Sequence, residues 1–289
     1  MSVLETQQPL AHAETARIEV APKARKGVPG WAQRAAVRIA VLVGFIAVWW
    51  AVAAAGVWDE LILPSPQSVW SQFVNSVTVH DGQRGLANYY LWEHLGASFF
   101  RVLKGLALAV LVGAPLGLLI GSVRWFGVVI GPYVNFVRAL PPLAYFSLLI
   151  IWFGINDASK VWLLFLAAFP PITISVASGV RGIPKDRIHA AQSLGANRRQ
   201  VVGTVVAPSV LPEFFTGLRL AIGFACTTVV AAETVNGIPG IGGLAWMTQK
   251  FLQTDVAILA VIVIGLAALA LDLLIRLLER RVVPWRGRS

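Results

Sequence analysis

Six apolar runs, at residues 36–57, 102–123, 126–153, 159–180, 214–235 and 256–277, recur along this 289-residue chain. Each reaches the roughly 20 residues that an α-helix needs to cross the hydrocarbon of a bilayer. No water satisfies a backbone N–H or C=O there, so runs of this length span as helices that close their own hydrogen bonds. The chain therefore reads as an all-α membrane protein with about six transmembrane helices. Composition agrees, since 57% of residues are hydrophobic and 13% charged, against about 25% charged in soluble domains. The third run is the least regular, because Arg138 and the pair Pro141-Pro142 interrupt it.

The first run ends among small residues, Ala53 and Ala55, as a cleaved leader does. It exceeds the roughly 7–15 residues of a signal-peptide core, and a long polar stretch precedes it. Residues 1–34 read as a disordered cytoplasmic leader, 35–283 as the transmembrane domain and 284–289 as a cytoplasmic tail.

Charge sets the orientation. With the N-terminus inside, the inner segments collect Arg17, Lys23, Arg25, Lys26, Arg34, Arg38, Arg124, Arg181, Lys185, Arg187, Arg198, Arg199, Arg276, Arg280, Arg281, Arg286 and Arg288. The outer segments hold Arg84, Arg101, Lys104, Lys160 and Lys250. The positive-inside rule places both termini and the polar loop 182–212 in the cytoplasm. Topology and anionic lipid account for the net charge of +10 without a nucleic-acid partner.

Several chemistries have no residues to carry them. No Gly-x-x-x-x-Gly-Lys-Ser/Thr loop cradles a nucleotide. The histidines, at 12, 80, 94 and 189, lack Glu or Cys partners at metal-ligand spacing. Asp81, Glu93 and His94 read as polar surface residues of an outer loop. The single cysteine, Cys226, falls in a span and forms no internal disulfide.

Within the spans, Gly113, Gly117 and Gly121 recur every fourth residue, a stripe that admits close helix contact within the subunit or between subunits. Leu91–Lys104 forms an amphipathic lead into the second span, and Val69, Trp70, Phe73 and Val77 mark a second amphipathic helix at the outer interface. The pairs Pro141-Pro142 and Pro170-Pro171 either break helices beside a pathway or, for the first pair, form a surface loop. Gly237–Gly243 reads as a turn re-entering the outer membrane surface. Among ionisable residues in the spans, Asp272 pairs with Arg276 one turn on. Arg138 and Glu233 lack such a local partner. Arg138 binds an anionic solute, snorkels, or pairs with Glu233, and Arg138, Pro141, Pro142 and Glu233 are the candidate pathway residues.

The most telling stretch lies in the cytoplasmic loop: His189, Ala190, Ala191, Gln192, Ser193, Leu194, Gly195 and Ala196, followed by Pro208. Residues 185–194 have helix-forming composition, and Gly195 sits where a helix ends in a left-handed residue. The paired alanines let a partner's groove approach the backbone, with Lys185, Arg187, Arg198 and Arg199 around them.

This stretch resembles the ATPase-docking loop of binding-protein-dependent ABC importers: Glu-Ala-Ala, three residues, Gly, nine residues, Ile-x-Leu-Pro. Ala190, Ala191, Gly195 and Pro208 match in register, while His189 stands for the acid, Val205 for Ile and Ala207 for Leu. Further runs resemble the nitrate, sulfonate and taurine permeases of that family, the taurine permeases most. They are Trp152–Ile155, Arg187–Arg198, Leu211–Glu213, Thr216–Arg219, Val230–Glu233, Leu252–Asp255 and Glu279–Trp285. The likeness covers residues 35–287.

The resemblance implies a type I ABC importer permease with a cytoplasmic coupling helix, set in the bacterial inner membrane. It implies a second copy of the chain, two ATPase subunits that bind ATP and Mg, and a periplasmic solute-binding protein, with no cofactor in this chain. The implied solute is taurine or a related alkanesulfonate, with nitrate or a pyrimidine precursor as alternatives. A secondary transporter would show an internal repeat with paired broken spans, and a membrane enzyme would show a catalytic cluster.

Overall fold

The computed structural model describes residues 30–80 and 82–285. The leader assigned to 1–34 lies outside the described residues except for 30–34, as do Asp81 and tail residues 286–289. The described part forms two units, divided at Val48. The first holds most of α1 (Gly30–Ala54), a helix that begins inside the stretch read as leader.

The remaining elements belong to the second unit. Helix α2 (Pro66–Val77) is capped by Ser65, whose hydroxyl accepts from the Ser68 N–H. A small hairpin, β1 (Val79–His80) with β2 (Gln83–Arg84), leads to α3 (Leu91–Ser122). Then come α4 (Arg124–Ala139), α5 (Pro142–Phe153), α6 (Asp157–Arg181), α7 (Lys185–Ser193), α8 (Arg198–Val201), a π-turn at Val202–Val206, α9 (Ala207–Glu233), α10 (Ile241–Phe251) and α11 (Thr254–Val282).

Glycines fix how these helices run. A Cβ on Gly105 would lie 2.6 Å from Leu164 Cβ, on Gly117 2.6 Å from the Thr173 carbonyl oxygen, and on Gly121 2.5 Å from Val180 Cβ. The partner positions advance in the same direction on both helices, so α3 and α6 are parallel. The glycine stripe thus serves packing inside the subunit.

Parallel neighbours start at the same membrane surface, so the chain between them must cross back. Helices α4 and α5 do this as one span bent by 98°. Leu140 and Pro141 each precede a proline, which disfavours the helical conformation, and both are extended here (φ −74°, ψ 129° and φ −60°, ψ 130°). With the five long helices, this bent pair brings the candidate spans among the described residues to six.

The second proline pair behaves differently. Pro170 and Pro171 are buried inside an unbroken α6, packed in the bundle instead of bordering a break. A Cβ on Gly217 would come within 3.0 Å of the Pro171 carbonyl, and one on Gly179 within 2.9 Å of Glu213 Cβ, so α9 runs antiparallel to α6. The core comprises Ala109, Leu164, Ala168, Ile172, Ala221 and Ala225 from α3, α6 and α9, all fully buried. Helix α11 is antiparallel to α9, tied by Arg219 Nε to Asp272 Oδ1 at 3.1 Å. Asp272 also accepts from Arg276 Nε at 2.7 Å, the pair expected from their spacing.

Residues 122, 181, 207 and 282 therefore share one end of the bundle, and 91, 157, 233 and 254 the other. Van der Waals packing and short interhelical hydrogen bonds hold helices together in lipid, where burial of apolar surface gives no drive. Gly117→Ala forces a methyl onto a backbone oxygen and is expected to cost about 1–3 kcal/mol, whereas Gly265→Ala, with nothing within 4 Å, is expected to be neutral. Thermal unfolding in detergent checks this, and equal Tm values for the two variants would contradict the packing.

Candidate functional site

At the end of the bundle shared by residues 181 and 207, α7 stands between α6 and α9. Its C-terminus closes as the sequence suggests: Gly195 takes φ +85°, the Ala196 N–H donates to the Ala191 carbonyl at 3.1 Å, and the Gly195 N–H to that of Gln192 at 2.9 Å. This pairing satisfies two of the carbonyls a helix end leaves open. Ile188, Ala191 and Ala196 pack on the main core, so α7 is seated on the bundle. His189, Ala190, Gln192, Ser193, Leu194 and Gly195 are exposed, and Leu194 is 89% so. Of the paired alanines, only Ala190 faces outward.

Asn197 then restarts the helix with a reciprocal cap. Its side chain accepts from the Gln200 N–H at 2.9 Å, and Gln200 Oε1 accepts from the Asn197 N–H at 2.8 Å. The π-turn carries α8 into α9 across Pro208. The segment 198–212 is therefore helical and continuous with the span, where the sequence suggested a loop to residue 212.

The opposite end holds a buried charge cluster. Glu233, at the last turn of α9, is 0% exposed. Its carboxylate accepts from Arg101 Nη1 at 2.6 Å, Ser98 Oγ at 2.8 Å and the Gly242 N–H at 2.8 Å. Arg101 also donates to the Pro239 carbonyl at 2.9 Å and to Asp157 Oδ1 at 2.9 Å. Lys160 Nζ donates to the Asn236 carbonyl at 2.6 Å and lies 3.5 Å from Asp157. The carboxylate fills a cradle that only glycine permits, for a Cβ on Gly240 would come within 2.7 Å of Glu233 Oε2. Gly237–Gly243 thus wraps a side chain and starts α10, whose N-terminal amide completes the anion's hydrogen bonds.

These contacts correct three expectations. Arg138 is exposed at the end of α4, and the partner of Glu233 is Arg101. Arg101 and Lys160, read as outer-segment charges, are buried within α3 and α6 (7% and 2% exposed). His94, read as a surface residue, is fully buried: its Nδ1 accepts from the Gly240 N–H at 3.0 Å and its Nε2 faces the Leu86 carbonyl at 3.1 Å. The signal was present, since His94, Ser98 and Arg101 fall at i, i+4 and i+7, one face of a helix. Pro141 and half-buried Pro142 sit at the bend beside Arg138, so three of the four candidate pathway residues are neighbours in sequence and Glu233 stands apart in its cluster. Among the described residues no group of three His, Cys, Asp or Glu side chains is placed to hold a metal ion.

Residues 113–284 match the model of the family described as binding-protein-dependent transport system inner membrane component. The chain belongs to this family. The permease is 40% identical to the taurine transport system permease protein TauC of Escherichia coli, over 86% of this chain and 89% of that protein. It is 34% identical to the putative aliphatic sulfonates transport permease protein SsuC of Escherichia coli, covering 84% and 89%, and 32% identical to the bicarbonate transport system permease protein CmpB of Synechococcus elongatus, covering 85% and 88%. A solved chain of the MetNI methionine ABC transporter, in an inward-facing conformation, shares the fold with a TM-score of 0.50 at 21% identity, covering 73% of this chain and 98% of that one. The permease is thus a multi-pass inner-membrane transport component that works in a complex with an ATPase and a binding protein.

Arg101→Met would leave Glu233 charged where no water reaches it, a change expected to cost about 3–5 kcal/mol. Adding Glu233→Gln should recover part of that loss. Thermal unfolding reads both, and an Arg101→Met loss no larger than that of exposed Lys104→Met would contradict the cluster's structural role.

Proposed function

We propose that this permease imports taurine or a related alkanesulfonate, and that α7 is the helix through which the ATPase drives it. The observation that carries the coupling reading is the seating of α7: a capped helix fixed to the bundle on one face and open to water on the other. Helices α6 and α9 leave the membrane on either side of it, so a push on α7 reaches both.

The bundle end bearing α7 faces the cytoplasm in this reading, with both chain termini. The other end carries few cations, and two of them, Arg101 and Lys160, are held by Glu233 and Asp157, so the excess of Arg and Lys stays on the side of α7. Two copies of the permease pair with two ATPase subunits, which bind the ATP and Mg. Closure of the ATPases brings the two coupling helices together and turns the path between inward- and outward-facing states.

The taurine and aliphatic-sulfonate relatives supply the solute class. Arg138, exposed beside the bend at Pro141-Pro142, offers a guanidinium suited to a sulfonate passing that point. Glu233 holds the outer end of the bundle, and a pathway role for it would require its hydrogen bonds to open.

Gly195→Leu forces a bulky residue into a left-handed backbone, although nothing lies within 4 Å of its Cβ position. The variant is expected to insert normally and to lose solute-stimulated ATP hydrolysis and vesicle uptake. Wild-type uptake by a well-expressed variant would contradict the coupling assignment. Binding of taurine, alkanesulfonates and nitrate to the cognate binding protein tests the solute, with taurine or an alkanesulfonate expected to bind most tightly.

A further inference from the structure

The face that α7 offers to a partner is unusually one-sided in charge. Between Arg181 and Pro212 the chain carries five basic side chains, Arg181, Lys185, Arg187, Arg198 and Arg199, against one acid, Asp186. All six are exposed. Among the described residues none of the five basic groups forms an ion pair with an acid of this chain. Position 189, where the docking motif has an acid, is an exposed imidazole. The knob therefore lacks the acid that would meet a basic groove, and its surroundings would repel one.

Its tip has a second feature. Leu194, 89% exposed, closes the helix beside the small, exposed side chain of Ala190. A single exposed leucine is ordinary, but this one projects from the open face of a helix whose Ile188 and Ala191 are seated on the bundle. The rest of that face, Lys185, Asp186, His189 and Ser193, is polar. It lacks the apolar stripe that would lay the helix on a lipid surface.

We infer that the ATPase groove receiving α7 is acidic and ends in an apolar pocket for Leu194, the reverse in charge of a groove made for an acidic coupling helix. This rests on the coupling reading of α7. It makes the permease selective among ATPases: a subunit with basic residues opposite position 189 meets like charge, and one with Asp or Glu there is drawn in.

The test uses the full transporter, permease with its cognate ATPase and binding protein, in nanodiscs. His189→Glu, an exposed change that leaves the seated face intact, is expected to weaken ATPase assembly by about fivefold at low salt. The deficit should shrink toward zero in about 0.5 M KCl, because exposed charges are screened over a few ångströms there. Leu194→Asp is expected to abolish solute-stimulated hydrolysis. Unchanged or tighter assembly of His189→Glu overturns the acidic groove; if Leu194→Asp still uncouples, the coupling reading survives that result. Wild-type coupling in both variants overturns the groove and the coupling reading together. Charge variants that change only the binding of anionic lipid, with ATPase assembly untouched, likewise overturn the proposal.

Discussion

Helix α6 lies between α3 and α9 at distances that only glycine allows, and this close packing is what the rest of the subunit depends on. In lipid, helices gain nothing by hiding apolar surface from apolar surroundings, so contact must come from close approach and from a few strong polar links. Gly105, Gly117 and Gly121 bring α3 onto α6, while Gly179 and Gly217 do the same for α9. Because α3 and α6 run parallel, the chain between them has to recross, and the bent α4–α5 pair follows from that requirement. The same packing sets the ends of α6 and α9 side by side, which gives α7 a firm base.

The two ends of this bundle are built by different physics. At one, buried Glu233, two buried cations, the more exposed Asp157 and a wrapped backbone form a mutually satisfied cluster. Such a cluster is costly to break by halves, so it pins α3, α6, α9 and the loop before α10 as one piece. At the other, α7 is held by a capped turn and a few apolar contacts, and its outer face is left in water. A rigid end and, opposite it, an accessible knob suit the coupling role proposed for α7, in which motion received from a partner passes along the helices.

Much of this was legible in the sequence because it rests on local or periodic signals. Apolar length fixed the spans, the four-residue glycine repeat marked a contact face, and Gly195 announced a left-handed helix end. The charge cluster was harder to read, since Arg101 and Glu233 are far apart in the chain and burial can be known only once the helices are packed. Arg138 drew attention as a partner for Glu233 because it interrupts an apolar run, whereas Arg101 stood at the polar margin of one. The polar face of His94, Ser98 and Arg101 was visible, but an amphipathic lead-in and a buried network share the same period. Consecutive prolines were likewise ambiguous: Pro141-Pro142 bends a span and Pro170-Pro171 does not, a difference decided by the buried, tightly packed surroundings of the second pair.

The central claim is that α7 meets the ATPase and moves with it. Oxidant-driven disulfide cross-linking between Ser193→Cys, in a Cys226→Ser background, and single cysteines introduced along the ATPase surface that faces the membrane, in membranes containing the whole transporter, tests it most directly. A cross-link to the ATPase that forms from position 193, changes in yield on adding ATP, and does not form from Thr78→Cys at the opposite end is the predicted result. A cross-link from position 78, or none from 193 in an assembled and active transporter, would contradict it.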